Sequence, residues 1–258
     1  MPVPFTPDCK LVSDVAPSPN HEPRARGQAP DMILLHYTGM ASALAALARL
    51  RDGSGSERVS AHYFVDEDGT IAQLVPEARR AWHAGTAFWA GETDINSCSI
   101  GIEIVNSGHE FGYPDFPPYQ IDAVIALCRD IVARRRIRAD RVLAHSDVAP
   151  GRKQDPGERF PWEKLHKAGV GHWVAPARVT GTARLTVGDR NETVSLLQSQ
   201  LAKYGYGIAT TGEYDESTRD VVAAFQRHFR PARVDGIADG STLTTLTDLL
   251  AARPTAAV

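Results

Sequence analysis

The chain has 258 residues, 43% of them apolar and 23% charged, with a formal net charge of −3. That is length for more than one domain and the composition of a globular protein, and the slight negative balance gives no electrostatic case for a nucleic-acid partner. Three widely spaced cysteines (Cys9, Cys98 and Cys128) argue against a disulfide framework or a cysteine-rich zinc site, and no run is long enough to span a bilayer.

Residues 1–30 are rich in proline and polar residues and read as an extended N-terminal arm. The arm shows no apolar h-region and no hydrophobic stretch before Cys9, so a cytoplasmic protein is expected, with the periplasm or cell envelope as the alternative. Asp31–Tyr37 is a short continuous apolar run, the pattern of a strand buried on both faces, and it carries His36 near its end. The alanine- and leucine-rich stretch 41–51 predicts a helix stopped by Asp52-Gly53-Ser54-Gly55. Two strands, 61–65 and 70–75, flank a hairpin signal at Asp66-Glu67-Asp68-Gly69. Residues 99–105 predict another buried strand, 119–136 a helix, and 141–145 a strand ending at His145. Arg134, Arg135 and Arg136 close that helix, where cations suit its dipole. A short helix starts at Pro161. Strands alternating with helices predict an α/β unit, a mixed central sheet flanked by helices, over residues 31–168. Residues 169–183 read as a linker. Beyond it, 184–252 read as a small all-α, three-helix domain, with amphipathic spacing at Val194, Leu196, Leu197 and Leu201 and again at Val221, Val222, Ala224 and Phe225.

The candidate chemistry lies at strand ends. In an open α/β sheet, strand ends on one edge face a common crevice. His36 and His145 each end a buried strand, and Asp155 follows in a loop rich in proline and glycine. Two imidazoles and a carboxylate could converge on one ion. That donor set suits zinc, and three protein ligands leave a fourth position for water. Glu103 interrupts the apolar run Ile100–Val105. A carboxylate there is either paired with a buried arginine or functional, because an unpaired buried charge is costly. Beside a metal-bound water it would be a general base.

The motifs HYTG (36–39), SAHYFVDEDGTIAQLV (60–75), AWHAG (81–85), INSCSIGIEIVN (95–106) and HSDVAPGRKQDPG (145–157) together resemble the zinc-dependent N-acetylmuramoyl-L-alanine amidases of the AmpD/AmiD type, relatives of phage amidase lysozymes and peptidoglycan recognition proteins. The resemblance covers roughly residues 30–168. It implies a Zn2+ cofactor held at the strand ends by His36, His145 and Asp155. It also implies a water-activating Glu103, and a Lys153 that stabilises negative charge on the carbonyl oxygen. Tyr37, His62, Trp82, His83 and Asn96 fall on motifs that line or support the substrate groove. The implied reaction is hydrolysis of the bond between the lactyl group of N-acetylmuramic acid and L-alanine, in peptidoglycan or in 1,6-anhydro-muropeptides during cell-wall recycling. Residues 184–250 resemble the helical peptidoglycan-binding domain found beside wall hydrolases, with one departure: Ala238-Asp239 stands where that family usually has a single glycine. The competing reading is a non-catalytic peptidoglycan recognition protein. Such relatives lack a zinc ligand, whereas every ligand position is filled here. The expected partner is a peptidoglycan or muropeptide substrate, with no nucleic acid and no transmembrane segment; a monomer is the default.

Overall fold

The computed structural model describes residues 4–178 and 184–254. Residues 1–3 of the expected arm and 179–183 of the expected linker lie outside the described residues. In chain order the elements are β1 (Asp14–Val15), β2 (His21–Pro23), β3 (Met32–Tyr37), α1 (Ala43–Arg51), β4 (Tyr63–Val65), β5 (Ile71–Gln73), β6 (Arg79–Ala81), α2 (Ile95–Cys98), β7 (Ser99–Ile104), α3 (Pro118–Arg135), β8 (Val142–Ala144), α4 (His145–Val148) and α5 (Trp162–Lys167). The C-terminal part adds β9 (Arg184–Leu185), α6 (Glu192–Tyr204), α7 (Glu216–Phe229), β10 (Ala238–Asp239) and α8 (Gly240–Ala251).

The central sheet is mixed and six-stranded, in the order β1-β5-β4-β7-β3-β8. Strands β7, β3 and β8, at one side of it, run parallel. They are buried on both faces, which is why their sequences are continuous apolar runs rather than alternating ones. Ile33 and Leu35 face α3 and α5, whereas Met32 and Leu34 face the other side. That second side is covered by the C-terminal helices. One continuous apolar cluster joins Met32, Leu34, Trp89 and Leu143 to Leu197, Leu201, Tyr206 and Phe225. The three helices therefore share a core with the sheet. The stretch expected to be a linker also packs: Val170 is buried, and Ala177 bonds both Ser241 and Thr245.

The N-terminal arm is built into the fold, not merely laid over it. Strand β1 extends the sheet beside β5, and β2 pairs antiparallel with β6. Arg24 is buried beneath the site, donating to the carbonyls of Glu77, Asn96, Ser97 and Ser99. In the helical part, Asp215 and Asp239 cap α7 and α8 by accepting from Thr218 and Thr242 backbone N–H groups. The unusual Ala238-Asp239 pair thus forms a short strand and a helix cap in succession. No helix of the described residues is long and apolar enough to cross a membrane.

The arginines closing α3 do more than meet the helix dipole. The Glu77 side chain, with no exposed surface, accepts from Arg134, Arg135 and the Tyr63 hydroxyl at 2.6–2.9 Å. Burial alone would raise its pKa, but bonds from Arg134, Tyr63 and Arg135 outweigh burial and hold it near 2, against an ordinary 4.5. A depressed folded-state pKa stabilises above the unfolded value and is lost as pH falls through the folded one. The stability difference between the parent and Glu77→Gln should therefore be largest above pH 4.5 and shrink by about 3 kcal/mol towards pH 2. Urea titrations across that range check it; a difference independent of pH would show that the network adds nothing through ionisation.

Candidate active site

Register assembles the site. Strands β3 and β7 pair so that His36 stands opposite Glu103, and on the other flank Leu35 stands opposite Ala144, which places His145 beside His36. Three residues far apart in sequence thus share the C-terminal edge of three adjacent parallel strands. Strand β8 ends abruptly: at His145 the chain turns into the single-turn helix α4. The following loop brings Asp155 back, and the Asp155 carbonyl accepts from Ser146 N–H, which closes the loop on its own start.

Three ligand atoms converge here. His36 Nδ1 and His145 Nδ1 are 2.9 Å apart, and Asp155 Oδ2 lies 3.0 Å from the first and 2.9 Å from the second. All three residues are buried. Burial, and next the neighbouring His145, hold His36 down to about 4, so its ring is neutral at pH 7.

The surrounding hydrogen bonds fix both tautomers. His145 Nε2 donates to the Ala84 carbonyl at 2.9 Å, which fixes the tautomer in which Nδ1 carries the lone pair. For His36 the inference runs through a relay. Ser99 Oγ donates to the Ile95 carbonyl and so accepts from His83 Nε2. His83, its pKa well below normal because of burial and the adjacent His36, therefore presents a bare Nδ1, to which His36 Nε2 donates at 3.1 Å. Two imidazole lone pairs and a carboxylate oxygen then face one another at hydrogen-bond distance with no proton between them. Such a set is mutually repulsive unless a cation lies among it, and the donors fit a metal ion.

Glu103 stands next to this triad in a cleft of about 420 Å³. Its Oε2 is buried with no hydrogen-bond partner, and no arginine pairs with it among the described residues. Burial, then the Asp155 charge, raise its pKa well above the usual carboxylate value, and Lys153 opposes them. The salt-bridge alternative is thus excluded, and a carboxyl group poised between proton acceptor and donor remains. Lys153 lines the same cleft.

The expected substrate contacts divide. Tyr37 and His83 line the cleft. His62 does not: it has no exposed surface, and its ring is held by Gly101 N–H, Arg24 and the Arg79 carbonyl. Asn96 is likewise below the site, where its Oδ1 accepts from the backbone N–H groups of His83 and Ala84. Trp82 lies outside the cleft, under the Arg58 guanidinium at 5.0 Å. None of these three lines the cleft; His62 and Asn96 instead brace the backbone of Gly101, His83 and Ala84 from below. Sequence reasoning missed Ser99, Arg152 and Gly101. Arg152 donates to the Ala84 and Thr86 carbonyls and pins the segment that orients His145. A Cβ at Gly101 would stand 2.5 Å from the His83 ring. A glycine inside an apolar strand was the available signal for that close approach.

A family model described as N-acetylmuramoyl-L-alanine amidase matches residues 26–158, and one described as a putative peptidoglycan binding domain matches residues 190–246. The N-acetylmuramoyl-L-alanine amidase AmiD of Escherichia coli (strain K12) is 41% identical over 229 residues, covering 82% of this chain and 79% of AmiD. A solved structure of E. coli AmiD in complex with the substrate anhydro-N-acetylmuramic acid-L-Ala-D-γ-Glu-L-Lys aligns with a TM-score of 0.73 at 37% identity, covering 89% of this chain and 92% of that one. The crystal structure of AMPDH3 from Pseudomonas aeruginosa aligns with a TM-score of 0.72 at 30% identity, covering 86% and 92%.

Proposed function

Because the chain belongs to the N-acetylmuramoyl-L-alanine amidase family, we propose that it cleaves the amide bond between the lactyl group of N-acetylmuramic acid and L-alanine with zinc held by His36, His145 and Asp155. The observation that carries this reading is the meeting of three buried lone-pair donors beside Glu103, a half-buried carboxyl group whose Oε2 has no hydrogen-bond partner. Bound zinc would supply Lewis acidity to the lactyl carbonyl and to a water. The chain's own residues do the rest. The Glu103 carboxylate takes a proton from the attacking water and returns it to the departing L-alanine nitrogen. Lys153, a compact point charge on the cleft wall, faces the oxygen that becomes negative. His83 and the Ala84 carbonyl hold the two imidazoles, so the donors need not reorganise during the reaction. The preferred substrate is a 1,6-anhydro-muropeptide, a reading supported by the ligand bound to E. coli AmiD. Residues 31–168 carry this chemistry, the N-terminal arm braces it through residues 4–30, 169–183 connect, and 184–252 form a peptidoglycan-binding helical unit.

The test is mass spectrometry of the products from intact, reduced and 1,6-anhydro muropeptides, with a chelated control. Free stem peptide should appear, fastest from the anhydro form, and chelation should abolish it. Equal release from all forms would overturn the substrate preference. No release from any form with zinc present would overturn the reading.

A further inference from the structure

The carboxylate that follows the second histidine has partners the catalytic part of the chain cannot provide. Asp147 lies two residues beyond His145 and its side chain has no exposed surface. Its Oδ2 accepts from the Ala144 backbone N–H at 2.8 Å, which ties down the residue just before His145. The same oxygen accepts from His228 Nδ1 at 2.7 Å, and Oδ1 accepts from the Tyr206 hydroxyl at 2.7 Å. Both donors belong to the C-terminal helical part: Tyr206 follows α6, and His228 is on α7.

These donors are themselves fixed. The His228 ring is stacked between Trp162 and Phe229, with centroids 3.7 and 3.8 Å away, and Tyr206 packs edge-on to Trp89 at 4.9 Å. Helix α7 touches the ligand loop a second time. At Gly151, where φ is +73°, a Cβ would lie 2.4 Å from Asp220 Oδ2. The same helix therefore seats the start of the loop through His228 and its middle through Asp220. Without α7 and Tyr206, Asp147 would keep one donor for a buried carboxylate, a costly arrangement.

We propose that the helical unit is a working part of the metal centre, and that Tyr206 and His228 are positioning residues which, through Asp147, hold the turn presenting His145. The inference rests on the reading of His36, His145 and Asp155 as a zinc site. It assigns the unit a second task besides holding peptidoglycan.

The experiment uses the full chain. Tyr206→Phe, His228→Leu and His228→Asn are compared with the parent by chelator-competition titration of zinc and by thermal melts of the metal-free and zinc-loaded forms. Tyr206→Phe and His228→Leu should each weaken zinc binding roughly 10-fold, in the range found for groups that orient a ligand. At saturating zinc they should lower kcat with KM little changed. His228→Asn, whose amide can replace the Nδ1 donor, should recover much of the loss. Melting temperatures that fall while zinc affinity and kcat stay at the parent values would overturn the proposal and leave simple docking. Should His228→Leu fail to fold, Tyr206→Phe removes one oxygen and decides alone. A parent that takes up no zinc would overturn the reading of the site itself, which is distinguishable from parent-like zinc binding in the variants.

Discussion

Glu103→Gln is expected to keep zinc and to lose most of the activity, with kcat down roughly 100- to 10,000-fold, the usual worth of a general acid–base group. The substitution keeps size and shape at a position where strand β7 is locked between β4 and β3, so the register and the neighbouring ligands should not move. The buried Oε2 has no structural partner to lose, so stability should hold or rise, because burial disfavours the ionised carboxylate that the amide replaces. An activity residue and a structural one thus separate cleanly: a structural carboxylate costs stability when removed, and this one should not. Zinc content by elemental analysis, a thermal melt and the rate of stem-peptide release form the measurement. Near-parent turnover would remove Glu103 from the mechanism. Lost zinc would make it a ligand instead of a base.

The sequence makes the three site-bearing strands legible because burial on both faces writes itself as an unbroken apolar run: Met32 to Leu35 have no exposed surface at all. A polar residue inside or ending such a run is then conspicuous, which is how His36, Glu103 and His145 stand out. Their adjacency is a different matter. It depends on strand order and register, which no local pattern contains, and the family motifs supply it indirectly. Strands β1 and β2 were missed as strands because two or three residues show no period, and β2 ends on a proline at its pairing edge. The turn α4 was missed for a like reason: four residues carry no helical face. The arginines at 134 and 135 read as helix-dipole partners because their actual partner, Glu77, lies in a turn 57 and 58 residues away, and no local pattern links the two segments. The relay through His83 and Ser99 was illegible because it is made of ring nitrogens and a hydroxyl whose meeting depends on the missing side chain of Gly101. The helical unit reads as a separate domain because its apolar spacing is complete in itself. Nothing in that spacing tells that Tyr206 and His228 turn their polar atoms towards Asp147.

Asp155→Ala should abolish zinc binding in conditions where the parent retains it. Outer partners of a metal site cost 10- to 100-fold in affinity, and a ligand should cost more than about 100-fold. The charge argument is specific to this triad. In the tautomers their neighbours impose, His36 and His145 offer lone pairs without charge, so Asp155 is the one anionic ligand opposing a dication. Asp155→Asn keeps the volume and an oxygen but not the charge, and it should be nearly as deficient as the alanine. The linked stability gives a second readout. Zinc that binds only the folded state raises the melting temperature by mass action. That rise should be present in the parent, preserved in Glu103→Gln and absent in Asp155→Ala. Full zinc occupancy in Asp155→Ala would refute ligation by this carboxylate. The two variants together then divide the site: one keeps the metal and loses the proton transfer, the other loses the metal and with it every later step.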